Sequence, residues 1–407
     1  MSSWPKEDRT DIGIKIILFL LSPILGFIYS LLSMKRKSSY VIFFSTAIIF
    51  GLSFTVPSGK SFVSSLDGAS YRERFEFFQY LSFSDYLEGL TKFFSFEGVK
   101  DYYFDTVAFF ISRLTDNYHV MFMVFAIIFA YFSLKSFKFL TSENNFKTSL
   151  ACFILAYLFM INQIFNINGM RFWTAAWVAV YSILQIFRNG DKKYYLLAFV
   201  TPLIHGSYWV FIAVLLIGTF TKRFKKLWVI LFFISFFVSA VSVELTQSFT
   251  NFLPPVFTEM IESYTNPEYI DSRREAIQES NYAKIFHLLV RVYLNIMVWL
   301  FIKNSKLVSN NSKTANLFSF LLVWMTFVNF TTPIPSLGGR FATLSYPLIT
   351  YIWLVNFSTI KYKYVLYIMP LVFSLSIYQQ VLYYSSVLEP AFYYSSPFYL
   401  IYKYLIA

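Results

Sequence analysis

Apolar runs of about 15 to 20 residues recur along this 407-residue chain from Ile16 into its last third, separated by short clusters of Lys and Arg. A helical run of that length matches the hydrocarbon thickness of a bilayer. Only 14% of the residues are charged and 57% are hydrophobic, whereas a soluble domain carries about a quarter charged residues. That is too little charge to cover a water-exposed surface, and lipid is the solvent that reconciles the two facts. The chain reads as an all-α polytopic membrane protein with a single integral membrane domain, residues 1–407. Its net charge of +12 sits between the apolar runs, where Lys and Arg orient spans instead of tracking a phosphate backbone. Nucleic acid is therefore excluded as a partner.

About ten full crossings are expected, at Ile16 to Ser33, Tyr40 to Val56, Tyr118 to Leu134, Ser149 to Phe165, Met170 to Phe187, Leu227 to Val243, Ile285 to Ile302, Ala315 to Phe330, Phe341 to Val355 and Tyr364 to Tyr378. Residues 194–220 are too long for one crossing and short for two. Thr201-Pro202 and His205-Gly206 interrupt them, and Lys clusters flank both ends, so they read as a re-entrant helical hairpin turning at Thr201 to Gly206. With that assignment the cytoplasmic turns collect eighteen Lys and Arg against Glu143 and Asp191, the asymmetry expected of the inner face, with both termini outside. The first run lacks a small-residue cleavage site and reads as a retained span. Cys152 is the single cysteine, so no intramolecular disulfide forms.

Two long outer segments stand apart from the short inner turns. Residues 57–117 alternate aromatic and acidic residues, as in Asp101-Tyr102-Tyr103-Phe104-Asp105, and residues 244–284 carry Pro254-Pro255 and Asp271-Ser272-Arg273-Arg274-Glu275. Both suit amphipathic helices in the membrane interface. No phosphate-binding glycine loop of the Walker type occurs, which argues against a nucleotide-driven pump. His119, His205 and His287 are scattered without metal-ligand spacing, no carboxylate cluster is visible to hold a cation, and no Gly-x-Ser-x-Gly elbow is present. No metal and no cofactor are expected. The 31 Tyr and 51 Phe are explained mainly by lipid-facing Phe, with Trp173 and Trp209 as candidate sugar-stacking rings.

Ionisable residues at span ends or inside spans are costly, so each needs a reason. Arg171 follows Asn166, Asn168 and Gly169 and opens a span; His205 lies at the hairpin turn; Arg340 follows Pro335-Ser336-Leu337-Gly338-Gly339; Asp67 stands just after the second span. All four fall on the outer face. The competing explanations are a lipid-phosphate anchor for each Arg, a hydrogen-bonded core His and a helix-capping Asp. Arg273, Arg274 and Arg291 add outer positive charge that attracts phosphate or pairs with Glu275 and Glu279. Guanidinium forks match a diphosphate, and a carboxylate or imidazole takes a proton from an attacking hydroxyl, so group transfer from a lipid-linked phosphate donor is the chemistry these residues fit.

Three passages resemble a known family: Phe50-Gly51-Leu52 followed by Asp67-Gly68-Ala69-Ser70-Tyr71, similar to an Asp-x-x-x-Tyr pattern; Asn168-Gly169-Met170-Arg171 opening an Ala-rich span; and Leu203-Ile204-His205-Gly206-Ser207. In their order and spacing they resemble the EpsG-type, Wzy-like polymerases of bacterial exopolysaccharide, capsule and O-antigen pathways, from the second span through Arg340. An Arg frequent in that family after the second span is missing, and Lys60 is the nearest cation. The resemblance implies a fold like the glycosyltransferases of C type in the bacterial cytoplasmic membrane, its site facing the periplasm or exterior. The implied reaction transfers a glycan from an undecaprenyl-diphosphate-linked donor to a lipid-linked repeat-unit acceptor. Arg171 and Arg340, helped by Arg291, Arg273, Arg274 and Tyr71, would hold the donor diphosphate, and His205 and Asp67 would position or deprotonate the acceptor hydroxyl. The expected partners are those lipid-linked oligosaccharides, membrane lipid and a chain-length regulator. A flippase for lipid-linked oligosaccharides or a membrane acyltransferase of exported glycans is the alternative, although no internal repeat of the kind transporters show is visible.

Overall fold

The computed structural model describes residues 4–56, 67–238, 242–248, 255–278, 281–357, 362–368, 374, 378 and 388–407. Nearly all regular structure among them is helical, with one antiparallel bridge, Phe54 to Leu388. Two stretches, Tyr118–Thr141 and Leu150–Arg188, are long and apolar enough to cross a membrane, and six shorter helices are similarly apolar. Their outward faces carry Leu150, Leu196 and Phe220 in exposed positions, where a water-facing helix would place charge. Most of the last expected span, together with Lys60 and Glu279, lies outside the described residues.

The chain runs through α1 (Arg9–Leu21), α2 (Pro23–Ser30), α3 (Lys37–Leu52), α4 (Asp67–Phe78), α5 (Phe83–Phe94), α6 (Tyr103–Ser112), α7 (Tyr118–Thr141), α8 (Leu150–Phe159), α9 (Met170–Ile183), α10 (Tyr194–Ala198), α11 (Thr201–Ile204) and α12 (Tyr208–Thr221). It continues through α13 (Lys225–Val238), α14 (Ser242–Ser248), α15 (Pro255–Thr265), α16 (Pro267–Gln278), α17 (Asn281–Lys303), α18 (Ser305–Asn310), α19 (Ala315–Phe330) and α20 (Ser345–Phe357). Local chemistry sets several starts. Asn117 caps α7 by accepting from the His119 N–H, and Ser82 with Asp85 forms a reciprocal capping box on α5.

The core is a set of helices packed α3 on α7, α7 on α9 and α13 on α19. Apolar helices gain little by hiding from lipid, so close backbone approach holds them together. At Gly51 of α3 a Cβ would stand 2.4 Å from Ala126 Cβ and 2.7 Å from the Phe122 carbonyl oxygen of α7. Asn295 and Asn329 exchange reciprocal amide hydrogen bonds of 3.1 and 2.9 Å between α17 and α19.

The first apolar run does not cross as expected. Pro23 forces Ser22 into an extended conformation (φ −158°, ψ 133°) and splits the run into α1 and α2. The two helices pack as a hairpin whose break reaches only the middle of α3, where Thr46 Oγ1 donates to the Pro23 carbonyl (3.2 Å). Lys15 bonds Asp11 (2.6 Å) and Ser38 Oγ (2.8 Å), Glu7 accepts from the Ser38 N–H, and Trp4 packs on Tyr40. The N-terminal segment thus sits beside the Lys35–Lys37 turn. The C-terminal Tyr404 lies at the opposite end, its carbonyl accepting from Asn117 (2.7 Å), so the termini are not on one side.

The lysine-rich turns converge on one carboxylate, which defines a basic end of the molecule. Glu143 accepts from Arg188 (2.9 Å), Lys313 (2.6 Å) and the Tyr351 hydroxyl (2.7 Å), while its backbone carbonyl accepts from Lys35 (3.1 Å). Burial alone would raise its carboxyl, but the donors from Lys313, Tyr351 and Arg188 outweigh burial and hold it below the ordinary 4.5. A carboxyl with a lowered folded pKa stabilises fully above about pH 4.5 and loses that contribution as the pH falls through the folded value.

Two predictions follow from this packing. Gly51→Leu should destabilise by about 1–3 kcal/mol, whereas Gly13→Ala, whose added methyl meets nothing within 4 Å, should stabilise by up to about 1 kcal/mol. Thermal melting in detergent measures both, and equal melting of the Gly51 variant and wild type would refute the close approach. Glu143→Gln should cost up to about 3 kcal/mol at pH 7, because Lys313 is half exposed and screens the pair. The gap from wild type should narrow on acidification below pH 4.5; a pH-independent gap would show that the Glu143 charge does not contribute.

Candidate active site

Opposite the basic end, the three short glycine-bearing passages come together. Gly68, at the start of α4, donates its N–H to Asn168 Oδ1 at 3.0 Å. A side chain there would collide, since a Cβ would lie 2.8 Å from Asn168 Oδ1 and 2.9 Å from Val56 Cγ1. Asp67 is exposed and its Oδ2 lies 3.7 Å from where a Gly169 Cβ would stand. One helical turn beyond Asp67, the Tyr71 hydroxyl accepts from Arg171 Nε at 3.1 Å. Burial raises the Tyr71 phenol above its usual value, against the opposing Arg171 charge, so it remains protonated.

Arg171 opens α9 after an irregular stretch, Met160 to Gly169, in which α8 stops earlier than its apolar run. Asn162 satisfies the freed backbone: its amide donates to the Trp173 carbonyl and its own carbonyl accepts from Trp177 Nε1, each at 2.9 Å. The guanidinium is then fixed from a second direction. Nη1 donates to both carboxylate oxygens of Asp101, at 2.9 and 3.1 Å. Asp101 is only 7% exposed and its Oδ2 also accepts from the Gly206 N–H at 3.4 Å. Asp105, four residues on, pairs instead with Arg74 at 2.6 Å, and burial raises its carboxyl against that pairing.

Residues 194–221 form the other wall. The arms meet where Tyr195 and Thr219 share a hydrogen bond of 2.7 Å, and the chain turns at residues 205–207 between α11 and α12. Gly206 presses against the loop that carries Asp101, since a Cβ would be 2.5 Å from the Lys100 carbonyl oxygen. His205 Nδ1 receives the Ser207 backbone N–H (3.3 Å) and lies 2.8 Å from Ser207 Oγ. A backbone N–H only donates, so this assigns Nδ1 as the acceptor and leaves the proton of the neutral ring on Nε2.

Phe172 is the ring around which the rest assembles. His205 lies edge-on at 5.3 Å, Phe341 at 5.3 Å, and the Tyr208 hydroxyl donates to the Phe172 carbonyl at 3.0 Å. Arg340 Cζ stands 5.6 Å from the same ring, and the charges of Arg340 and Arg171 both act on His205. Among the described residues Arg340 has no carboxylate and no hydrogen-bond partner. An apolar cavity of about 220 Å³ opens beside Ser207, walled by Val210 of α12, Ile261 and Tyr264 of α15, and Phe327 and Phe330 of α19. Tyr264 is close enough to feel both Arg340 and Arg171.

Asp67, Tyr71, Arg171, His205 and Arg340 therefore converge. Arg291 lies on α17, and among the described residues no ion pair or hydrogen bond joins it to Arg171. Arg273 and Arg274 fall on α16, and their side chains lie outside the described residues. Asp101 and Phe172 belong to the site and were missed by sequence reasoning. Adjacency to Arg171 was a usable signal for Phe172, but nothing local distinguishes Asp101 from Asp105. Among the described residues no three of His, Cys, Asp and Glu gather as a metal-ligand set.

The family model described as the EpsG family matches residues 45–396, which spans every converging residue. The chain belongs to the EpsG family. It is accordingly a membrane protein of polysaccharide biosynthesis. Comparison with curated proteins and with solved structures returned no significant match.

Asp101→Ala should destabilise this EpsG-family protein by about 3 kcal/mol, the low end for a broken buried pair because Arg171 retains some exposure. Asp101→Ala/Arg171→Ala should be more stable than the sum of the single variants predicts, with a coupling of about 1–3 kcal/mol in melting experiments. Strict additivity would mean that the two side chains do not hold each other.

Proposed function

We propose that the protein is a Wzy-like polysaccharide polymerase, a multi-pass protein of the bacterial cytoplasmic membrane with about ten crossings and its site facing the periplasm or cell exterior. The donor is a glycan on undecaprenyl diphosphate and the acceptor a sugar hydroxyl of a lipid-linked repeat unit. The observation that carries this reading is Arg340: a guanidinium with no counter-ion among the described residues, whose charge acts with that of Arg171 on His205, three positions after Leu337 in the wall of an apolar cavity. Surplus positive charge next to an apolar recess suits a diphosphate attached to a lipid.

In the transfer, the bond between the anomeric carbon and the diphosphate oxygen breaks, the electron pair leaves with the diphosphate, and the acceptor oxygen bonds the anomeric carbon. Arg340 and the remaining Nη2 edge of Arg171 stabilise the departing charge. With Nδ1 occupied by Ser207, His205 contributes Nε2–H as a further donor to phosphate oxygen. Proton removal from the acceptor then falls to Asp67, an exposed carboxylate without a partner among the described residues. Asp101 is a positioning residue, setting the direction of Arg171.

The test is deletion of the chromosomal copy followed by gel analysis of the surface glycan, with complementation by variants. The expected result is loss of the long ladder with single repeat units still exported. Arg171→Ala, Arg340→Ala and Asp67→Asn should each fail to restore it, since removing one charge stabiliser lowers the rate by about 10²- to 10³-fold. Normal ladder length with Arg171→Ala and Arg340→Ala at wild-type membrane levels would overturn the assignment. Loss of single units as well would favour a flippase, and an unchanged ladder lacking acyl groups an acyltransferase.

A further inference from the structure

The basic end holds a second recess, far from Arg171, that neither the fold nor the proposed transfer uses. It encloses about 250 Å³ between the Lys35–Lys37 turn, the start of α8 and the N-terminal segment at Pro5. Lys35, Arg36 and Lys147 line it and, among the described residues, no Asp or Glu does. Lys35 is held in place by the carbonyl oxygens of Glu143 (3.1 Å) and Phe146 (2.7 Å), an arrangement that orients the ammonium without neutralising it. The side chains of Arg36 and Lys147 have no ion pair or hydrogen bond among the described residues.

The nearby carboxylates are committed elsewhere. Glu143 gives its oxygens to Arg188, Lys313 and Tyr351, and Glu7 accepts the Ser38 N–H at 3.2 Å. Cations that only mark a membrane face stand singly in solvent or snorkel along their own helix. These three line one partly open recess, where their charges add to raise the local potential for an anion. The rest of the wall is apolar, formed by Leu31, Leu32 and Phe153, and Leu32 is 59% exposed on the outward surface.

We propose that this recess binds the phosphodiester headgroup of an anionic phospholipid, with the acyl chains leaving over Leu32. A free phosphate shares the headgroup chemistry but makes no use of the apolar wall, and the outward exposure of Leu32 supplies the path that lipid chains need. Lipid bound here ties the N-terminal hairpin to the turn that carries Glu143.

The experiment uses the full chain in vesicles of phosphatidylcholine, with and without phosphatidylglycerol, and reads thermal unfolding by tryptophan fluorescence. Phosphatidylglycerol should raise the wild-type midpoint by several degrees, as expected for a ligand that binds the folded state. Arg36→Gln/Lys147→Gln should lose that shift while melting like wild type in phosphatidylcholine alone. Lys222→Gln/Arg223→Gln, which removes two cations outside the recess, should keep it. If the first pair melts low even in phosphatidylcholine, Lys147→Gln alone is read by the same criterion. A shift retained by the Arg36/Lys147 variants, or lost equally by the Lys222/Arg223 pair, would overturn the proposal. So would a full gain from millimolar inorganic phosphate in phosphatidylcholine, which assigns the recess to a free anion.

Discussion

A guanidinium at the mouth of an apolar bundle must find a carboxylate or stay in water, and much of the site end follows from how Arg171 meets that demand. Its carboxylate comes from Asp101, seventy positions earlier in the chain and on a loop outside the bundle. The pair therefore draws α4 to α6 down onto α9. Because Asp101 also takes the Gly206 N–H, it fixes the height of the hairpin turn as well. Glycine at 68 and 206 is required by the same closure: each lets one backbone reach an oxygen that any side chain would block. The ion pair is thus a geometric constraint more than a source of stability, in keeping with the small net worth of buried pairs after desolvation.

What was legible in the sequence was whatever a single segment carries by itself. The long apolar runs of α7, α9, α17 and α19 are their own signal, and the hairpin declares itself through Pro202 and Gly206 between two lysine clusters. The three glycine-bearing passages are recognisable because each sets a small residue next to a polar one. Asp101 was not legible, since Asp101 and Asp105 flank the same aromatic run and only tertiary contact gives one to Arg171 and the other to Arg74. The first run was misread for the opposite reason. Its hydropathy is continuous, and a single residue, Pro23, breaks it into two helices without interrupting the apolar pattern.

The two ends of the molecule use charge in opposite ways. At the basic end one buried carboxylate is surrounded by donors: Arg188, Lys313 and Tyr351 are tied to it from three different segments, while Lys35 bonds the backbone carbonyl of the same residue. A closed cluster of this kind is structural, because each group on the carboxylate has its partner within the protein. At the site end the count runs the other way. Asp101 holds Arg171, and Arg340, near the same Phe172 ring as His205, has no carboxylate partner among the described residues. A half-buried cation without a counter-ion gains a partner when an anion enters. The chain keeps that imbalance at the end where its loops leave an apolar cavity open. An arrangement built only for stability would have placed a carboxylate beside Arg340; with none there among the described residues, its charge is the feature that supports the proposed binding site over a second structural cluster.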